Sequence, residues 1–286
     1  MTLPRIGVFD SGVGGLTVLK AMADRLPAHY LYFGDTARLP YGTKSSATVA
    51  RYAIGATHFL ETQQIDLLVI ACNTATALAF PAIVDAAHVP VVGVVEPGAA
   101  AAAEVSKGGA AIVIATEATV SSHAYRDALA RHNLQSLEKA CPLFVPLVEE
   151  GWIDHQVTEQ VARIYLGEAI EQAPRAADVL VLACTHYPLI APLLRRVVPP
   201  SMQIVDSAES TARVVKKIIQ ENGCRSERTA EAIPTDQGGR TSTVDARCEH
   251  RTFRFYVTDS VDKFKRLAAG FLGRKVDNVE HVDLGG

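Results

Sequence analysis

Two cysteines of this 286-residue chain stand at the ends of apolar runs, each with polar residues directly behind it. They are Cys72, in the segment VIACNTATAL, and Cys184, in VLVLACTHYP. A thiol has an unperturbed pKa near ~8.5, and helix N-terminal amides or a nearby base can stabilise its thiolate. A matched pair fits the removal of a proton from one face of a carbon and its return on the other. The pair predicts racemisation or epimerisation at an acidic Cα–H, and two buried structural thiols are the alternative.

Each thiol has polar neighbours that could bind a small amino acid. Asn73 and Thr74 follow Cys72, and Thr185 and His186 follow Cys184. These side chains could hold a carboxylate or an ammonium group, although a histidine here could also be a satisfied core residue. Helices predicted to begin at Thr74 and at about residue 187 would place both thiols near positive helix ends.

A glycine-rich turn and a proline-containing loop are further candidates for anion binding. The turn Asp10–Gly15 lacks the GxxxxGK[ST] pattern of a phosphate loop, but its glycines let backbone amides approach a small anion. Asp10 could bind an ammonium group or assist Cys72, and the alternative is a tight turn with a capping side chain. Pro40–Gly42 could present amides to a carboxylate or form an ordinary turn. Glu149 and its acidic neighbour are predicted to begin a helix, where acids are favoured.

Short apolar runs rich in Val and Ile alternate with longer helical patterns such as 16–25, 49–63 and 154–172. Continuous apolar strands separated by helices are typical of a parallel sheet covered on both faces, so we predict the α/β class. The predicted strands are Ile6–Asp10, Tyr30–Gly34, Leu67–Cys72, Val91–Val95, Ala111–Ala115, Val179–Cys184 and Gln203–Val205, with a last strand at 252–257 and a helix at 261–272.

The chain also repeats a pattern. A strand ending at Asp10 precedes Cys72, and a strand leading to Thr116 precedes Cys184 after an interval of similar length. This repeat predicts two related α/β halves. Because ligands bind at the carboxyl ends of strands in parallel sheets, two such edges facing each other would place all four residues around one cleft.

Composition restricts the possible partners and compartments. A formal net charge of −3 gives no electrostatic case for nucleic acid or an anionic membrane.

The longest uncharged window, 67–84, contains polar residues and Pro81, which favours strand–loop–helix over a membrane span. Five cysteines without a CxxC motif, and no room for a signal peptide before the first strand, predict reduced thiols in a soluble cytoplasmic protein. No metal-ligand cluster and no lysine in an obvious Schiff-base setting is visible, which is consistent with chemistry that needs no cofactor. The polar segment 222–250 is predicted to be a surface loop or partly disordered.

Seven ordered motifs give the chain a close resemblance to the cofactor-independent glutamate racemases, which supply D-glutamate for peptidoglycan. They are GVFDSGVGGLTVL, YFGDTARLPYGTKS, VIACNTATA, IATEATVSS, CPLFVPLVEEG, VLACTHYPLI and VDSAESTA, and they span nearly the whole chain. The resemblance implies an amino-acid racemase of the isomerase class, with glutamate as the small-molecule substrate. A racemase for aspartate or another amino acid, and an amino-acid-binding protein on the same fold, are the alternatives.

The resemblance also implies roles for individual residues. Cys72 and Cys184 resemble the two catalytic bases, with Asp10 and His186 assisting proton transfer and Glu149 as a further acidic helper. The residues that match the substrate-binding positions are Asp10, Ser11, Tyr41, Gly42, Asn73, Thr74, Thr116, Thr119, Thr185 and His186.

The implied architecture is two pseudosymmetric parallel-sheet α/β domains that face each other across the active-site cleft. The first domain would comprise residues 1–95 and 208–286, and the second residues 96–207. A cytoplasmic homodimer is also implied.

Overall fold

A computed structural model describes residues 3–221 and 252–284 of the chain. The whole of the predicted surface loop at 222–250, together with two of the five cysteines, Cys224 and Cys248, lies outside the described residues. Within the described part, strands and helices alternate, and the predicted α/β class is confirmed.

The first sheet has six parallel strands and is built from both ends of the chain. Its spatial order is β10-β9-β2-β1-β3-β4, so β1 lies between β2 and β3. The strands are β1 (Arg5–Asp10), β2 (His29–Gly34), β3 (Leu67–Ile70), β4 (Val91–Gly93), β9 (Phe253–Val257) and β10 (Val279–His281).

The second sheet has four parallel strands in the order β6-β5-β7-β8. Its strand β5 lies between β6 and β7 as β1 lies between β2 and β3, so the two sheets share one winding order. The predicted repeat is therefore present as two parallel-sheet α/β domains. The strands are β5 (Ala110–Ala115), β6 (Gln135–Ala140), β7 (Ala177–Ala183) and β8 (Gln203–Asp206).

The strands of the first sheet fall within 5–93 and 253–281, and those of the second within 110–206. The division at residues 95/96 and 207/208 stays a prediction. Two strands, β6 and β10, had no sequence prediction. Both are edge strands with partly exposed, polar residues, so they lack the continuous apolar run that marks the buried central strands.

Helices cover the sheets and connect successive strands. The predicted helix at 16–25 is present with those bounds, and those at 49–63 and 154–172 are present with shifted ends. The helices are α1 (Leu16–Arg25), α2 (Ser46–Thr62), α3 (Asn73–Ala86), α4 (Val95–Val105), α5 (Glu117–Ser122), α6 (Ala124–Arg131), α7 (Phe144–Glu149), α8 (Gln156–Gln172), α9 (Ala191–Val197), α10 (Ser207–Glu221) and α11 (Val261–Leu272).

A single buried apolar cluster joins the two halves. It contains Leu16 of α1 and Phe264 of α11 from the first half, and Leu182 of β7 and Tyr187 from the second. Burial of large apolar side chains on both sides stabilises the arrangement by about 1.5–3 kcal/mol for each fully buried residue. No helix among residues 3–221 and 252–284 is long and apolar enough to cross a membrane.

Gly34 is the last residue of β2, and the backbone of the glycine-rich turn passes close to it. A Cβ added at Gly34 would lie 2.4 Å from the carbonyl oxygen of Gly12, and a backbone atom cannot rotate away. We expect Gly34→Ala to lower the free energy of unfolding by about 1–3 kcal/mol, measured by urea denaturation.

Gly55 in the middle of α2 is the matched control, because an added Cβ meets nothing within 4 Å. Gly55→Ala should raise the free energy of unfolding by up to about 1 kcal/mol, through helix propensity. If Gly34→Ala had the same free energy of unfolding as the wild-type protein, the close approach of the Gly12 carbonyl to Gly34 would be contradicted.

Candidate active site

The residues singled out from the sequence lie at the carboxyl ends of equivalent strands. Asp10 ends β1 and Cys72 follows β3, while Thr116 follows β5 and Cys184 follows β7. In each sheet these two strands are neighbours at the point where the winding reverses direction. Open α/β sheets bind ligands at such switch points, because the loops diverge there and leave a crevice.

Cys72 is the N-cap residue of α3, which begins at Asn73, one residue before the predicted start at Thr74. Its Sγ accepts a hydrogen bond from the backbone N–H of Ala75 at 3.4 Å and lies 3.4 Å from Ser11 Oγ. Burial and the nearby Asp10 carboxylate raise the pKa of the Cys72 thiol to about 12, although the hydrogen bonds act in the opposite direction. Cys72 is therefore a thiol at neutral pH.

Asp10 is almost completely buried, with 1% of its surface exposed. Its Oδ2 accepts the backbone N–H of Gly12 at 2.9 Å and the hydroxyl of Tyr32 at 3.3 Å. Burial raises the pKa of Asp10, while neighbouring backbone amides and the charge of His186 lower it in part. A cationic group of a bound molecule would stabilise this carboxylate further.

The second half places an imidazole and a carboxylate beside Cys184. His186 Nε2 lies 3.2 Å from Glu149 Oε1, and His186 is also hydrogen-bonded to Cys184. Burial disfavours the charged imidazole, yet these two partners outweigh it and raise the pKa of His186 to about 10. The hydrogen bond from His186, together with the charge of Lys263 at 3.6 Å, lowers the pKa of Glu149.

Two local predictions about this half are wrong. Glu149 ends helix α7 and does not begin one, because Gly151, with φ of +79°, terminates the helix just beyond it. An acid at a helix C-terminus is unfavourable, and His186 and Lys263 supply the compensating charges. Cys184 precedes a 3-10 turn, Tyr187–Ile190, and the α-helix begins only after that turn.

The two halves touch at the glycine-rich turn. A Cβ at Gly14 would lie 2.2 Å from Thr185 Oγ1 and 2.6 Å from His186 Nδ1, so only glycine lets the backbone come this close. Thr17 Oγ1 also donates to the carbonyl of Thr185, at 3.4 Å. The turn after β1 therefore lies directly against the segment after β7.

Three threonine hydroxyls from both halves form a second contact across the cleft. Thr74 Oγ1 lies 2.9 Å from Thr116 Oγ1 and 3.2 Å from Thr119 Oγ1, and the last two are 3.0 Å apart. Gly42 packs beside Thr116, where a Cβ would lie 2.9 Å from the threonine Cβ. The adjacent Tyr41 side chain is buried and donates to Asp35 Oδ2 at 2.5 Å, so its phenol holds the loop in place.

Two buried residues beside the site were not singled out from the sequence. Asp35 is fully buried, accepting hydrogen bonds from Tyr41 and from Thr258 Oγ1 at 2.8 Å. Tyr125 on α6 is fully buried and donates to Asn73 Oδ1 at 2.6 Å. Asp35 lies within the motif YFGDTARLPYGTKS, which could have drawn attention to it, whereas Tyr125 lies outside the quoted motifs and meets Asn73 only in the folded chain.

A cavity of about 630 Å³ opens beside the threonines and is lined from both halves. The two cysteines and Asp10 are not among its lining residues. Among the described residues no group of three His, Cys, Asp or Glu could hold a metal ion. The cavity is lined by Gly42, Thr43, Lys44, Ser46, Ala77, Leu78, Glu117, Ala118, Ser121 and Ser122.

The fold and the paired strand-end residues define a two-domain α/β protein with its site between the domains, and comparison with known proteins is consistent with this. The sequence pattern of the Asp/Glu/Hydantoin racemase family matches residues 6–215. A glutamate racemase of Koribacter versatilis (strain Ellin345) is 60% identical to the chain, over 99% of this chain and 98% of that protein. A glutamate racemase of Geobacter metallireducens is 44% identical, over 98% of this chain and 96% of the other.

A solved structure also resembles the chain over nearly its whole length. The crystal structure of glutamate racemase from Francisella tularensis, in complex with D-glutamate, superposes with a TM-score of 0.84 at 31% identity, covering 99% of both chains. The chain belongs to the Asp/Glu/hydantoin racemase family, and it is an enzyme of the isomerase class.

The coupling between His186 and Glu149 generates a prediction for pH. The pKa of His186 is raised above its unfolded value of ~6.5, so its stabilising contribution is complete below ~6.5 and is lost as pH rises through about 10. Glu149→Gln removes one charged partner and should lower the pKa of His186. Nitrogen shifts of the labelled imidazole, followed across pH, measure this directly.

Glu150→Gln is the matched control, since Glu150 is the exposed neighbour of Glu149. We expect it to leave the titration of His186 unchanged. Identical titrations in wild type and Glu149→Gln would contradict the assigned coupling.

Proposed function

We propose that the chain is a cofactor-independent glutamate racemase that interconverts L- and D-glutamate by proton transfer between two cysteines. The observation that carries the proposal is the equivalent position of Cys72 and Cys184. Each thiol follows the third strand of its own half, and each has an ionisable helper from its own half. A two-base reaction needs such opposed groups, one for each face of the substrate carbon.

In the proposed mechanism one cysteine acts as a thiolate and the other as a thiol. The thiolate takes the Cα proton, and the thiol across the cleft gives a proton to the opposite face, so the centre inverts. The two environments differ: Cys184 is hydrogen-bonded to the His186 imidazole, whereas burial and the Asp10 carboxylate favour the thiol form of Cys72. After one turnover the protonation of the pair is reversed, as the opposite direction requires.

The carbanion must be stabilised by more than proton transfer. General acid–base catalysis contributes roughly 10²–10⁴-fold, so positioning and electrostatic stabilisation must supply most of the rate enhancement. We assign the backbone amides after Ser11 and around Gly42, and the hydroxyls of Thr74 and Thr185, to the substrate carboxylates. Asp10 is the natural partner of the ammonium group, because its buried carboxylate is short of positive charge.

We assign the remaining site residues by the same chemistry. Asn73, Thr116 and Thr119 offer neutral hydrogen-bonding groups near Thr74, and Thr119 and Asn73 are buried. Tyr41 acts through its backbone, and Glu149 acts on His186. Neutral donors distributed along the cleft suit the two carboxylates of an elongated amino-acid substrate.

Glutamate is favoured as the substrate by the relatives, since the proteins that share 60% and 44% of the sequence are named glutamate racemases. Aspartate is the second candidate, and a binding protein without turnover is the third. We further propose that the product D-glutamate serves peptidoglycan synthesis in the cytoplasm and that the chain forms a homodimer, both by family resemblance.

The test uses purified protein in deuterated water, without added pyridoxal phosphate, and offers L- and D-glutamate separately. We expect inversion in both directions with deuterium entering at Cα, followed by optical rotation and mass spectrometry. Cys72→Ser and Cys184→Ser should each lower kcat for inversion by at least about 10²-fold, because each removes one of the two proton carriers.

Cys141→Ser is the matched control, since Cys141 is a third buried thiol placed in no part of the mechanism. It should keep kcat within a few-fold of wild type. Deuterium exchange at Cα without inversion would exclude the two-base scheme. Exchange with aspartate but not with glutamate would make aspartate the substrate. A protein that binds glutamate and exchanges no proton would be a binding protein.

A further inference from the structure

Tyr125 and Asn73 form a buried hydrogen bond that joins the two halves of the molecule. Tyr125 lies on α6, beyond the first strand of the second sheet, and Asn73 is the first residue of α3 in the first half. The phenol donates to Asn73 Oδ1 at 2.6 Å, and the two residues are 0% and 3% exposed. This contact is short and fully shielded from water.

The bond fixes the orientation of the Asn73 amide. Because Oδ1 accepts the phenol proton, Nδ2 must point away from Tyr125. Nδ2 is buried, and it has no hydrogen-bond partner among the described residues. An unpaired buried donor bears the full desolvation cost of the group, and a ligand that supplied the acceptor would remove that cost.

Ser207, the first residue of α10, lies beside the phenol of Tyr125 and acts to lower its pKa. Gly98 of α4 makes room for this arrangement, since a Cβ there would lie 3.0 Å from the phenol oxygen and 3.2 Å from Ser207 Cβ. Burial raises the pKa of Tyr125, so the phenol keeps its proton.

The place of Asn73 identifies what Nδ2 would bind. Asn73 lies between Cys72, a proposed proton carrier, and Thr74, whose hydroxyl contacts the two cleft threonines of the second half. An amide N–H donates and cannot accept, so at this place it selects an anionic oxygen over an ammonium group. Carboxylate oxygens are the acceptors that an amino-acid substrate brings.

We propose that Tyr125 is a positioning residue for substrate binding: it locks the Asn73 amide with Nδ2 directed at a substrate carboxylate, and Ser207 holds the phenol in register. The inference rests on the proposed function and names a residue outside the assigned site. Tyr125 and Asn73 belong to opposite halves of the molecule. The Asn73 amide is therefore held in this orientation only when the two halves pack as they do in this structure. Carboxylate recognition by Asn73 is thereby coupled to the packing of α6 against α3.

The test is a double-mutant cycle on steady-state racemisation of L- and D-glutamate, with Tyr125→Phe, Asn73→Ala and the double variant. Loss of one neutral hydrogen bond corresponds to a change of about tenfold, so Tyr125→Phe should raise KM about tenfold in both directions. Its kcat should stay within about threefold, because binding common to the ground and transition states changes KM alone. In the Asn73→Ala background, Tyr125→Phe should have no further effect on KM.

Tyr30→Phe is the matched control, because it removes another buried phenol that donates to a backbone carbonyl, that of Leu26, at 2.8 Å. It should leave KM unchanged. An unchanged KM in Tyr125→Phe would overturn the inference, and so would effects that multiply in the double variant, since a purely structural role for Tyr125 does not depend on Asn73. Wild-type protein that fails to racemise glutamate would overturn the proposed function and this inference together, whereas active wild type with an unaffected Tyr125→Phe would overturn this inference alone.

Discussion

The structure depends on holding the carboxyl edges of two parallel sheets in side-chain contact. Gly14 lies against Thr185 and His186, and the hydroxyls of Thr74, Thr116 and Thr119 meet across the same cleft. At this edge strands end and polar loops begin, so the edge itself does not drive two separate sheets to associate. A shared apolar cluster beneath the cleft provides the stabilising free energy, and the contacts at the edge set the distance.

This approach brings ionisable groups out of water, and burial together with neighbouring charges shifts their pKa values. Burial and the Asp10 carboxylate raise the pKa of the Cys72 thiol, and burial raises the pKa of Asp10 itself. In the opposite corner Glu149 and Cys184 favour the charged imidazole of His186 and raise its pKa. The cleft thus has a neutral thiol on one side and a cationic imidazole on the other. Buried charges separated in this way shift pKa values far more than exposed ones would, because water does not screen them.

Supporting residues hold the groups at the candidate site in place. Asp35 fixes the loop that carries Tyr41, and Tyr125 accounts for the orientation of the Asn73 amide. Neither residue is near the cysteines in sequence. Each acts by satisfying a buried hydrogen-bonding group on a neighbour, so the groups at the candidate site are held in one orientation. Such preorganisation reduces the conformational entropy lost on binding.

The sequence by itself determined the class, the repeat and the candidate site residues, because each is encoded locally. A buried parallel strand must be a continuous apolar run, and a polar residue at its end marks the sheet edge, so Asp10, Cys72 and Cys184 could be identified without coordinates. Local pattern failed where it competed with tertiary contacts: Glu149 ends a helix, and the polar edge strand β6 lacks an apolar run. Only the tertiary structure decided the partners of the buried polar groups, such as Tyr125 with Asn73. Hydrogen bonds between residues distant in sequence depend on how the halves dock, and docking is a property of the whole packed chain.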